Sequence, residues 1–420
     1  MNADLRFPPL KPPIAMRPQE RGFPRFDGSV AKPRVRLDLA DAMFLMLLLL
    51  NAIQFLKVGG AQLSQLFAVA MLPVLMVRRR IHVSGWELWA YGLFIGIALS
   101  LTFLSGYPRF KAAEQIIKFA FVLPAFYLLG KYFGARARAR PLPFGYLVIV
   151  GFLAFQYALQ YFDVPVLYEK VEFMQDAVHG SFKERNWFAA FFFLTSYLCF
   201  LKSPRRVADV LRFLVLAVVV TLLSESKTVL IACGIAVLLQ VRGYLAAKLV
   251  TILAGAGFYL YMFTRELTGD QLEVRLQQER GLAFTQSIKL VTQDWLGHGF
   301  GFVEHYFAHS AIAVRGLGEG TSAVFCAPLD LMLIAGPIGV LAWLVFFSGV
   351  GHGRRVMSMM APIAAWSLIN PMHQSETSYL FLGFLAAFAL QAKSRGHPAS
   401  GGRLPSDALH RLMFLRGRSS

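Results

Sequence analysis

Residues Ala323 to Ser348 read AVFCAPLDLMLIAGPIGVLAWLVFFS, an apolar run broken only by Asp330 and a Gly-Pro pair. It is long enough to cross a hydrocarbon layer of roughly 30 Å. Its apolar residues are continuous and do not alternate with period two, so it reads as a membrane helix and not as a barrel strand. A carboxylate such as Asp330 is costly at membrane depth and is expected to face the bundle interior, toward a basic partner, a water-filled cavity or a structural hydrogen bond.

Outward from this run, similar stretches recur along the chain. About twelve candidate spans can be counted, near 38-57, 62-77, 86-104, 115-133, 144-162, 186-201, 207-223, 228-241, 244-263, 323-348, 356-370 and 376-391. The expected fold class is therefore all-α, a polytopic integral membrane helical bundle. Composition agrees, with 56% hydrophobic residues, 16% charged residues and a mean hydropathy of +0.53. An ordinary soluble domain carries about 25% charged residues. The formal charge of +18 comes from short clusters between apolar runs, which argues for membrane topology and against a nucleic-acid partner. Three cysteines, Cys199, Cys233 and Cys326, lie in or beside apolar runs without ligand spacing, so they imply neither a disulfide framework nor a metal site.

Lys and Arg should gather in every second connection of such a bundle. Residues 1-37, Arg78 to Arg80, Lys131 to Arg140, Lys202 to Arg206, Arg242 with Lys248, Arg354 with Arg355, and residues 392-420 fall on one side. With Arg212 they hold about 29 of the 42 basic residues. Both termini are expected to be cytoplasmic, the first as a disordered basic tail too long for the start of a cleavable signal, the second as a shorter basic tail. The inner clusters need no partner beyond membrane lipid.

Two outer connections exceed simple turns, near 163-185 and 264-322. In the second, Phe284, Ile288, Val291 and Trp295 recur at helical spacing, forming an amphipathic helix that would lie on the membrane or against the bundle. Arg280 begins it and GHGFG (Gly297 to Gly301) ends it, where glycines permit positive φ or close approach of a ligand. Lys183 and Arg185 stand at the mouth of the sixth span, and Lys227 at the turn between the seventh and eighth. These cations either snorkel near helix ends or converge on an anion such as a diphosphate. His298, His309 and Glu319, with His305 and Glu304, are loop groups suited to acid-base work. His373 and Glu376 could line the same cavity, together with Asp330.

The order of Gly180, Phe182 and Asn186 before a span, Ser224-x-Ser226-Lys227 between spans, Arg280 before GHGFG, and Gly336 to Gly339 as GPIG resembles the O-antigen polymerase and O-antigen ligase superfamily. The resemblance covers roughly residues 180 to 340. It implies a GT-C-like glycosyltransferase of the bacterial inner membrane with a periplasmic site. The implied substrate is an undecaprenyl-diphosphate-linked oligosaccharide, the implied chemistry needs no metal or cofactor, and flippase and chain-length or export proteins are the implied partners. Arg185 and Arg280 would hold the diphosphate, assisted by Lys227 and Lys183, and neutralise charge as the glycosyl bond breaks. The ligases carry a His at a fixed distance before Gly-x-x-Gly, where this chain has Phe325; the shifted match His309-Ser310 with Gly320 ends in Ala323. Polymerisation is thus favoured over ligation. A lipid-linked sugar flippase is the rival from another class, but internal repeats and midplane binding residues are not evident. An O-acyltransferase would carry a His inside its bundle, and the sequence suggests none.

Overall fold

The computed structural model describes residues 38–78, 81, 83–106, 109–139, 146–170, 177–201, 207–240, 279–310, 317, 323–351 and 354–396. In chain order the helices are α1 Leu39–Ala52, α2 Leu63–Arg78, α3 Gly85–Ser105, α4 Arg109–Ile117, α5 Leu123–Ala139, α6 Tyr146–Tyr161, α7 Arg185–Ser196, α8 Val207–Ser224 and α9 Lys227–Gln240. They continue with α10 Glu279–Gln293, α11 Phe302–His309, α12 Ala327–Gly349, α13 Arg354–Ser367 and α14 Glu376–Gly396. A π turn, Lys118–Val122, joins α4 to α5 without a break. A short antiparallel ladder pairs β1, Lys57–Val58, with β2, Ala61–Gln62, between α1 and α2. The expected tails, residues 1-37 and those beyond 396, and the expected span at 244-263 lie outside the described residues.

Among the described residues, three helices are long and apolar enough to cross a membrane: Gly85–Ser105, Lys111–Arg136 and Ala327–Gly349. Shorter apolar helices correspond to several other expected spans, including Leu39–Ala52, Val148–Tyr161 and Thr228–Gln240. Their outward faces are greasy. Trp86, Leu88 and Phe103 on α3, and Ile338, Leu341 and Leu344 on α12, are all at least half exposed. A soluble protein rarely leaves so continuous an apolar surface in water. The chain is a helical membrane protein by that measure.

Small residues decide how closely the helices pack. On α5, Gly130 and Gly134 form a G-x-x-x-G pair facing Gly383 on α14. A Cβ on Gly130 would fall 2.0 Å from the Leu380 carbonyl, and one on Gly383 would fall 2.0 Å from the Tyr127 carbonyl. In lipid, where apolar burial alone gives no drive, such close backbone approach supplies the packing contacts. The antiparallel pair α3 and α12 is set by Gly349 beside Trp86 and Gly339 beside Phe94.

At one end of the bundle, Arg136 bonds to Asp38 and Asp41, tying the last turn of α5 to the capping box that starts α1. Lys131, counted above among the inner basic residues, is tied into the bundle itself. Its ammonium is 4% exposed and donates to both Glu87 oxygens at 2.9 and 2.6 Å, while Tyr127 donates to the same carboxylate at 2.7 Å. A lysine within an apolar helix needs such a partner, because an isolated buried charge is prohibitively costly.

Candidate functional site

At the opposite end of α1 and α5, polar side chains from several elements are tied together. Asn51 at the end of α1 donates to Thr377 of α14 at 2.6 Å, and Gln65 of α2 donates to Glu376 at 2.8 Å. The loop before α7 is held by Gln54, whose backbone N–H donates to Ser181 at 2.9 Å and whose side chain accepts from Lys183 N–H at 3.1 Å. Gly180, at φ +55°, lies against Gln156 of α6, and Gln156 accepts from the backbone N–H of Ser181 at 2.7 Å. Asn186 then accepts from Ser226 at 3.0 Å, joining the start of α7 to the turn between α8 and α9. The Gly180, Phe182 and Asn186 pattern is therefore a loop anchor: the glycine supplies a left-handed φ, Phe182 is fully buried, and Asn186 pins the neighbouring turn.

Lysines gather in this frame. Lys183 is exposed, and its ammonium feels the charges of Lys57 and Lys118, with Glu114 opposing them. Desolvation and the two like charges bring its pKa down to about 8. Lys118 itself approaches Glu376 at 3.5 Å. Lys57 and Lys118 were not singled out from the sequence. Lys118 interrupts the apolar run 115-133, and an ionisable residue in such a run was the signal available.

The other candidates separate into distinct environments. Arg185 pairs with Glu225 at 3.1 Å across the loop from α7 to the α8–α9 turn. Arg280 and Lys227 lie in the first turns of α10 and α9, as expected for helix-start cations; their side chains, and Glu319, lie outside the described residues. His309 is exposed at the end of α11, its Nδ1 beside the His305 carbonyl at 2.8 Å and its ring 4.4 Å from that of His305. Glu304 is buried against Lys111 of α4. His298 is half-buried, stacked on Phe302 at 3.9 Å, with Asp294 3.8 Å from Nδ1.

Asp330 is fully buried and faces inward, as expected. It sits in the first turn of α12, not at mid-helix depth. It accepts from the backbone N–H of Val324 at 2.9 Å and from Gln374 at 3.0 Å, and His373 Nε2 stands 2.7 Å away. His373 and Glu376 have separate partners, His373 going to Asp330 and Glu376 to Gln65 and Lys118. His373 is also a histidine inside the bundle, at 1% exposure, which the sequence did not suggest. A stretch written NPMHQSE between two apolar runs gives no sign that its turn folds inward.

The GHGFG segment is built into the bundle. Gly297, Gly299 and Gly301 have φ of +90°, +87° and +82°. A Cβ at each would strike, respectively, Gly336 N at 2.5 Å, Thr102 N at 2.4 Å and Ala112 N at 2.9 Å. What approaches these glycines is the protein's own backbone, not a ligand. The N–H groups of His298 and Gly299 donate to the carbonyls of Leu333 and Ile334 at 2.7 and 2.9 Å. Those of Phe300 and Gly301 donate to Thr102 Oγ1 and Gln115 Oε1, both at 2.7 Å. GHGFG and GPIG, two separate marks in the sequence, are one interlocked unit.

The helix α10 forms where expected, and of the two positions open to its apolar face, on the membrane or against the bundle, the second is not taken. Ala283, Ser287 and Leu290 pack inward with Phe302, Val303 and Leu333, whereas Phe284, Ile288 and Trp295 are exposed. The small residues Ala283 and Ser287 let the helix lie close to α12, and the larger apolar stripe is turned away.

The chain matches no protein-family model and no curated protein sequence.

Proposed function

We propose that this protein is a membrane glycosyltransferase that polymerises undecaprenyl-diphosphate-linked oligosaccharide repeats into an exopolysaccharide, capsule or O-antigen chain. On this reading it has about twelve spans in a GT-C-like bundle of the bacterial inner membrane, both termini cytoplasmic and the site periplasmic. The observation that supports it is the gathering of polar elements at the end of the bundle away from Arg136, where Gln65 and Lys118 reach Glu376 and Gln54 holds the Lys183 loop, so that Lys57, Lys118 and Lys183 act on one another. Lys118 has a carboxylate partner in Glu376, whereas Lys57 and Lys183 repel each other, and an anion such as a diphosphate would relieve that repulsion.

In the proposed reaction, a hydroxyl of the acceptor repeat attacks the anomeric carbon of the donor glycan. The bond from that carbon to the diphosphate oxygen breaks, and undecaprenyl diphosphate leaves with the electron pair. The lysines, with Arg185 and Arg280, stabilise the charge that grows on the leaving diphosphate. The hydroxyl proton passes to a general base. Flippase and chain-length or export proteins would deliver the substrate and receive the product.

The test is purified protein with the lipid-linked repeat and a chelator. Chain elongation is expected, and its loss in Arg280→Ala. Elongation unchanged in that variant removes Arg280 from the mechanism, and lipid translocation without glycosidic bond formation favours a flippase.

A further inference from the structure

The interval from Glu279 to Phe302 does not behave as a loop lying above the membrane. Four consecutive N–H groups, from His298 to Gly301, donate to groups within the bundle: the Leu333 and Ile334 carbonyls, Thr102 Oγ1 and Gln115 Oε1. A turn in water has no need of this, whereas backbone at membrane depth must satisfy every polar group internally.

Depth along α12 points the same way. Gly349 meets Trp86 and Gly339 meets Phe94, so α12 starting at Ala327 is level with α3 ending at Ser105. Gly297 packs on Ala335 and Gly336, about 13 Å along α12 from that start at 1.5 Å per residue. Gly299 packs on Thr102, about 5 Å from the end of α3, so the turn rises from about 13 Å to about 5 Å within a hydrocarbon core of roughly 30 Å.

Three edges of α10 complete the picture. Ala283, Ser287 and Leu290 face the bundle; Thr285, Lys289 and Gln293 form a polar exposed edge; Phe284 (46%), Ile288 (41%), Trp295 (59%) and Leu296 (55%) form an apolar exposed edge. The apolar edge ends in the turn after α10, where Trp295 and Leu296 lie beside Gly336, two residues before Ile338, and Ile338 and Leu341 are 60% and 62% exposed on α12.

We propose that Glu279–Phe302 is a re-entrant segment, slanting into the outer leaflet and turning back at GHGFG, with Phe284, Ile288, Trp295 and Leu296 against lipid acyl chains. The occupant of this apolar edge is lipid because the edge is continuous with the outward face of α12. The inference rests on reading α3 and α12 as membrane-crossing and is independent of the glycosyl chemistry.

Nitroxide labels test it in proteoliposomes of phosphatidylcholine and phosphatidylglycerol, with single cysteines introduced after Cys199, Cys233 and Cys326 are replaced. Ile288→Cys and Leu296→Cys should show oxygen-to-nickel accessibility ratios severalfold above Lys289→Cys and close to Leu341→Cys. Ratios at 288 and 296 equal to that at 289 overturn the proposal, as do labels shielded from both reagents, which would mean that protein covers the edge. A water-like ratio at 341 as well would instead refute the membrane reading of α12. The protein with its own cysteines gives a second readout. Brominated acyl chains should quench its tryptophan fluorescence less in Trp295→Phe, and identical quenching in the two proteins contradicts lipid contact at that residue.

Discussion

The backbone N–H of His298 donates at 2.7 Å to the carbonyl of Leu333, the acceptor four residues before Pro337. Proline lacks the N–H that would complete that helical bond, so α12 breaks at this turn. Gly336 takes φ +62° and ψ −171°, a region open essentially to glycine alone, and Gly299 serves the next carbonyl, that of Ile334. The broken helix and the glycine turn exist for each other.

Gly336→Ala and Gly297→Ala should therefore destabilise strongly. Backbone strain of about 1–3 kcal/mol adds to overpacking of about 1–3 kcal/mol. Gly96→Ala, on α3 with open space around it, should be neutral or stabilising by up to about 1 kcal/mol. Thermal unfolding in detergent distinguishes them, and equal melting points for the three variants contradict the interlock.

Removing one partner of the Glu87 and Lys131 pair should cost about 3–5 kcal/mol, since the other charge is left buried. Lys131→Met and Glu87→Gln should each unfold early, and the double variant should recover much of the loss. A double variant as unstable as the sum of the singles would show that the residues act separately.

Asp330→Ala leaves the donors of Val324 and Gln374 without their acceptor and removes the partner of His373. At about 1–3 kcal/mol for each buried unsatisfied group, a large fall in melting temperature is expected. A small fall would mean that water or repacking replaces the carboxylate.

Lys183 supplies a pH dependence. Its folded pKa of about 8 lies below the ordinary 10.5, so between these values the unfolded chain holds a proton that the folded protein has released. Stability should rise with pH across that window, while below about 8 the repulsion is felt in full. The difference in melting temperature between the native protein and Lys183→Met should shrink from pH 8 to 10.5. Inorganic pyrophosphate, which prefers the charged form, should bind more weakly as pH rises above about 8. A flat profile in both measurements contradicts the lysine cluster.

Much of the helical architecture was legible because lipid imposes a strict grammar: long apolar runs become helices, and polar residues among them must find partners. Asp330 facing inward and α10 preceding its glycine turn follow from that grammar. What escaped reading depended on pairing between distant segments. Nothing near Lys131 in the chain indicates Glu87, nothing in GHGFG indicates Gly336, and the turn folding His373 onto Asp330 has no local pattern. Which of the two expected positions the apolar face of α10 takes, on the membrane or against the bundle, was open for a related reason. Periodicity marks an apolar stripe, but Ala283 and Ser287 win the protein contact because they are small, leaving the bulkier Phe284 and Ile288 outward.

The central claim is that cations at the outer end of the bundle hold the diphosphate of a lipid-linked glycan. Its most direct test is elongation of undecaprenyl-diphosphate-linked repeats by Lys57→Met with Lys183→Met in one protein, against Lys289→Met on the exposed edge of α10. The account predicts at least about a hundredfold loss of elongation in the double variant, from two charge-assisted contacts of about 1.5–3 kcal/mol each, and an unchanged rate in Lys289→Met. Elongation at the native rate in a folded double variant would contradict it.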